Sequence, residues 1–134
     1  MMLPKNATVA VVDGETLSLF HNSGDEGALT LKAVESPLLD GGNAGSGGRH
    51  RSSSANPDDS RQSEDGFAAA AAAWLNRQVL DGKIEALVII AAPKTLGELR
   101  HHYHKALEAI VKGELSKDLV GHPITDIEAA IQHH

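Results

Sequence analysis

Residues 86–98 read Ala86-Leu87-Val88-Ile89-Ile90-Ala91-Ala92-Pro93-Lys94-Thr95-Leu96-Gly97-Glu98. The run Ala86 to Ala91 is apolar without alternation, which is the pattern of a central parallel strand covered on both faces. Pro93 punctuates it. Thr95 followed by Glu98 has the form of a capping box, so a helix is expected to start just after the strand. A parallel strand needs a parallel neighbour and helices on both faces of its sheet, which points to an α/β fold.

On the amino-terminal side, Thr8-Val9-Ala10-Val11-Val12 is a β-branched run stopped by the hairpin dipeptide Asp13-Gly14. Thr16 to His21 alternates Leu17 and Leu19 against Ser18 and Phe20. The polar cluster Asn22 to Gly27 is expected to turn the chain again, into a third strand over Leu29–Val34. Two tight turns and three short strands read as an antiparallel meander. Phe67 to Leu80 reads as a helix with Phe67, Ala71, Trp74, Leu75 and Val79 on its core face, started by Ser63, Glu64 and Asp65 and ended by Asp81-Gly82.

Between these parts, about Pro37 to Ser63, the chain is almost without apolar residues. Gly41, Gly42, Gly45, Gly47 and Gly48 precede Arg49-His50-Arg51-Ser52-Ser53-Ser54. Such a segment has little to offset its ordering entropy and is expected to be a disordered loop. Beyond Glu98, the spacing of Leu99, Tyr103, Leu107 and Ile110 fits one long helix. The same residues also fit a break near Lys105 followed by a strand with Leu107, Ala109 and Val111 on one face. The second reading is preferred, with a strand over Leu107–Glu114, because it supplies the missing parallel neighbour of Leu87–Ile90. Thr125-Asp126-Ile127-Glu128 is a further capping box opening a last helix. The sum is β-β-β-α-β-α-β-α, a mixed five-stranded sheet flanked by helices, which matches the ribonuclease H-like architecture.

Composition bounds the function. The chain has 134 residues, enough for a single domain over 1–134. Twelve Lys plus Arg against eighteen Asp plus Glu leave a formal charge of −6, which argues against a general nucleic-acid coat but permits a local basic patch. Without cysteine there is no disulfide, thiol nucleophile or cysteine-ligated metal. No run approaches the ~20 apolar residues of a membrane helix, and Met1 to Lys5 lacks a signal-peptide layout. A soluble cytoplasmic protein without membrane insertion is expected.

Several phrases then stand together: Asp65-Gly66-Phe67-Ala68, Trp74-Leu75-Asn76, Leu87 to Arg100, and Lys117-Asp118-Leu119, after an opening Val11-Val12-Asp13-Gly14 and Leu17-Ser18-Leu19-Phe20. In combination they resemble the bacterial host-attachment protein family, described as required for attachment to host cells. That family is itself similar to the central domain of archaeal and eukaryotic peptide-chain release factors. The resemblance implies the architecture above. It also implies that Gly41-Gly42-Asn43 occupies the place of the release-factor Gly-Gly-Gln tripeptide, which promotes peptidyl-tRNA hydrolysis. Asn43 is one methylene shorter than glutamine and its flanks differ, so no hydrolytic activity is expected.

Candidate sites follow from placement. Lys94 and Thr95 would lie at the carboxyl end of a parallel strand and a helix start, where backbone N–H groups and the helix dipole favour an anion. Lys117, after the last strand, would join Lys94 and Arg100 in a small patch for phosphate or an RNA backbone. The plainer reading is a capped helix start with solvated lysines. His101 and His104, with His102 between them, sit at helical spacing, but nothing completes a metal set and a solvated face is expected. Asp13, Glu35 and Glu114 are the carboxylates a two-metal nuclease would have to gather, and they look scattered. Neither a P-loop nor a nucleophile elbow is present, and no cofactor or small-molecule substrate is implied. Two functions remain. One is a non-catalytic host-attachment-family protein acting indirectly from inside the cell on a protein partner. The other is a release-factor-like module that touches the ribosome or tRNA.

Overall fold

The computed structural model describes residues 3–25, 27–37, 39 and 59–133, with side chains of the first long helix from residue 66 onward. Among the described residues five strands form one sheet: β1 (Thr8–Val12), β2 (Leu17–Asn22), β3 (Leu31–Val34), β4 (Leu87–Ala91) and β5 (Val111–Ser116). Four helices accompany them in the same residues: α1 (Asp59–Leu80), α2 (Pro93–Arg100), α3 (Lys105–Ile110) and α4 (Ile124–Gln132). The strand order is β3-β2-β1-β4-β5. β1 pairs antiparallel with β2 and parallel with β4, and β4 is parallel to β5, so the sheet is mixed and open. β4, flanked by β1 and β5, is buried along its whole length, as its apolar run requires.

Strand alternation sorts the core into two layers. Ala10, Val12, Leu17, Leu19, Leu87 and Ile89 face Phe67, Ala71 and Leu75 of α1, Leu96 and Leu99 of α2, and Leu107 of α3. Val9, Val11, Phe20, Val88, Ile90 and Leu115 face Ile127 and Ile131 of α4, with Leu3 closing that side. Helices therefore cover both faces, and alanines at 68, 71 and 72 are buried on α1. Trp74 and Val79, expected on the core face of α1, are only partly buried against the same layer.

Four sequence expectations are corrected. First, α1 starts at Asp59, eight residues before Phe67, so residues 59–63 are helical rather than loop. The added turns are polar and carry no apolar period to read, and Asp and Glu near a helix start suit its dipole. Second, the proposed strand over Leu107–Glu114 begins only at Val111. Residues 105–110 form α3, with Leu107 buried and Ala109 exposed, so the apparent alternation is one short helical turn and a half. The break near Lys105 is real. The His104 Nδ1 accepts from the Ala106 N–H at 2.9 Å and starts α3. The element order is thus β-β-β-α-β-α-α-β-α.

Third, neither capping box forms. α2 begins at Pro93 with Ala92 as its N-cap, and α4 begins at Ile124 with Pro123 as its N-cap, both without a side-chain cap. Proline fits the first helical position because its missing N–H has no partner there, and this moves the α2 start two residues upstream of Thr95. Fourth, Glu128 does not reach back along its own helix. Its Oε2 accepts from the Leu31 N–H of β3 at 2.8 Å and ties α4 to the sheet edge.

Candidate nucleic-acid interface

The carboxyl ends of β4 and β5 lie in register, with Ala91 opposite Ser116. Lys94 and Thr95 follow β4 as the second and third residues of α2, and Lys117 follows β5 directly. Lys94 and Lys117 are both exposed and Thr95 is half-buried. The fold thus brings Lys94 and Lys117 to one end of the sheet. Arg100, at the far end of α2, is held elsewhere. Its Nε and Nη2 reach one oxygen of Glu114 on β5 at 2.9 and 2.6 Å. The hydrogen bond and charge of Glu114 raise the Arg100 pKa further above its ordinary value. Arg100 and Glu114 therefore neutralise each other.

The same ion pair borders a cleft of about 430 Å³ lined by Tyr103, Glu108, Val111, Lys112 and Gly113. The Tyr103 hydroxyl is buried and has no hydrogen-bond partner among the described residues. Burial first, then the nearby Glu114 carboxylate, push its pKa well above the usual tyrosine value.

His101 and His104 do not share a helix face, because α2 ends at Arg100 and His104 caps α3. Asn76 of α1 fastens this turn, donating to His102 O at 2.8 Å and accepting from His104 N at 2.9 Å. Among the described residues no group of three or more His, Asp or Glu is arranged to hold a metal ion. Of the scattered carboxylates, Asp13 caps its own turn through the Glu15 and Thr16 N–H groups, and Glu114 is taken by Arg100. Gly41, Gly42 and Asn43 lie outside the described residues.

The opposite end of the sheet carries lysines that no sequence pattern marks. A second cleft, of about 330 Å³, opens at the amino ends of β1, β4 and β5, and its rim includes Lys5, Lys83 and Lys112. These lysines are far apart in the chain and carry no motif, so only the fold gathers them.

The described residues thus form an α/β sheet with lysine-bearing rims at both ends. The chain belongs to bacterial archaeo-eukaryotic release factor family 12, whose model matches residues 6–131. The match bears on the release-factor relationship expected from the sequence and not on the attachment role. The chain is also similar to an uncharacterized protein of Rickettsia prowazekii (strain Madrid E). The two are 43% identical over 49 residues, which is 37% of this chain and 33% of that relative. The alignment therefore spans about a third of the relative's length.

Proposed function

We propose that this protein is a translation-associated, release-factor-like module that binds ribosomal or transfer RNA and acts by binding, without catalysis of its own. The observation that carries this reading is the family model, which covers nearly the whole chain at residues 6–131. The strand order β3-β2-β1-β4-β5, with β2 antiparallel to its neighbours, supports a ribonuclease H-like architecture of the kind the release-factor central domain has. No helix among the described residues is long and apolar enough to cross a membrane.

The test is pelleting of the purified protein with purified bacterial ribosomes through a sucrose cushion. Co-pelleting that weakens with salt is expected, because phosphate contacts release counterions. Protein that stays in the supernatant at low salt would contradict the reading. The non-catalytic half is checked on ribosomes carrying peptidyl-tRNA, where no peptide release above background is expected. A second reading, an indirect role in attachment to host cells, rests on the phrases between residues 11 and 119. It predicts a protein partner in place of RNA.

A further inference from the structure

We propose that the cleft at the amino ends of β1, β4 and β5 binds the phosphodiester backbone of RNA through Lys5, Lys83 and Lys112. The inference rests on the RNA-binding reading and says which end of the sheet carries it. Each lysine is presented by a separate backbone device. Lys5 is the second residue of a turn closed by the Ala7 N–H on Pro4 O at 3.1 Å. The third residue of that turn, Asn6, has φ 71°, the left-handed value a type II turn requires and asparagine tolerates.

Lys83 follows the end of α1. The Lys83 N–H donates to Gln78 O at 2.9 Å and the Gly82 N–H to Val79 O at 3.0 Å. With Gly82 at φ 77°, this is a Schellman end, which fixes Lys83 as the first residue past the glycine. Lys112 sits in a bulge. Leu87 pairs with Val111 and Val88 with Gly113, so Lys112 is the extra residue on β5. Bulges re-aim a side chain out of the strand's regular alternation. Lys112 accordingly borders this cleft as well as the one beside Tyr103.

The three devices converge because β1, β4 and β5 are neighbours in the sheet and run parallel, so their amino ends share one rim. Lys5, Lys83 and Lys112 are exposed, and none makes an ion pair among the described residues. Among the described residues the one carboxylate on the rim is Glu85, leaving a local positive excess in a chain whose formal charge is −6. Anions repelled by the rest of the surface would be attracted here. The lining has no aromatic residue among those described, so it favours backbone phosphate over stacked bases.

The test is fluorescence anisotropy of a labelled single-stranded RNA oligonucleotide titrated with the full chain over a salt series. Lys83→Glu and Lys112→Glu together should weaken binding by about tenfold or more. They should also flatten the salt slope, by roughly 0.7 for each phosphate that is no longer neutralised. Glu85→Gln should tighten binding, a gain that damage to the fold would not produce. Lys32→Glu with Lys105→Glu, exposed lysines outside both rims, should leave it unchanged. Loss of binding in Lys94→Glu/Lys117→Glu, at the other end of the sheet, with Lys83→Glu/Lys112→Glu unaffected, would overturn the cleft while leaving RNA binding intact. Wild-type protein that binds neither the RNA at low salt nor ribosomes would remove the underlying reading together with the cleft. Binding of a polyglutamate peptide as tight as that of RNA would overturn the assignment to RNA in favour of an acidic protein partner.

Discussion

Asn22 is fully buried, and its side chain joins three pieces of backbone. Its Nδ2 donates to Leu3 O at 3.0 Å and Pro4 O at 3.3 Å, and its Oδ1 accepts from the Gly24 and Thr30 N–H groups at 3.0 Å. Asn22→Ala should cost roughly 2–4 kcal/mol, because several buried backbone groups are left without a partner at once. Urea denaturation would measure it, and a cost below about 1 kcal/mol would show that water replaces the amide. Gly24 is required next to it, since a Cβ there would fall 1.9 Å from Ala28 O.

Tyr103 makes the opposite case. Its buried hydroxyl has no partner among the described residues, so Tyr103→Phe should be neutral or stabilise by up to about 1 kcal/mol. The folded state holds this hydroxyl's pKa above its ordinary 10.0, so the folded state keeps the proton that the unfolded chain releases. Stability from Tyr103 is therefore complete below about pH 10 and is lost as the pH rises beyond it. Tyr103 is the single tyrosine, so tyrosinate absorbance reports it alone. That signal should rise only together with unfolding, and Tyr103→Phe should flatten the alkaline limb of the stability curve.

At the scale of elements, the helix starts separate what the sequence pattern suggests from what the backbone does. Thr95→Ala and Thr125→Ala should each change stability by less than about 0.5 kcal/mol. A working cap would cost ~1 kcal/mol, so thermal melts distinguish the two. Asn76→Ala should cost about 1 kcal/mol and loosen the α2–α3 turn, read as faster exchange of the His104 amide, which donates to Asn76 Oδ1 at 2.9 Å. Glu128→Ala should speed exchange at Leu31, whose N–H it accepts, while amides of the central strand β4 stay protected.

The central strands were legible because β-branched and apolar runs are long enough to show their period, as in Val9–Val12 and Leu87–Ala91. The start of α2 was misplaced because Thr95 and Glu98 imitate a cap that Pro93 makes unnecessary. The helix α3 was missed because six residues give too short a period, and Leu107-Ala109-Val111 mimics a strand by chance of spacing.

For the whole molecule, the candidate site was the least legible part. Lys94 and Lys117 were readable because each follows closely on an apolar strand, and the register of β4 with β5 does bring them to one end. Sequence nearness suggests Arg100 as a third member, yet Glu114, fourteen residues on, takes it. Lys5, Lys83 and Lys112 could not be grouped from sequence at all, since a turn, a helix end and a bulge in three separate regions aim them at one cleft. Electrostatics at this scale concerns fields more than contacts. A chain of net charge −6 that meets RNA must do so through a local positive rim, and such binding is steep in salt.

The central claim, that the protein works on the translation machinery, is tested most directly by sucrose-gradient sedimentation of a native lysate at low and high salt, probing each fraction for this protein. Co-migration with ribosomal fractions at low salt, abolished at high salt, is the expected result. Migration only at the top of the gradient under both conditions would contradict it.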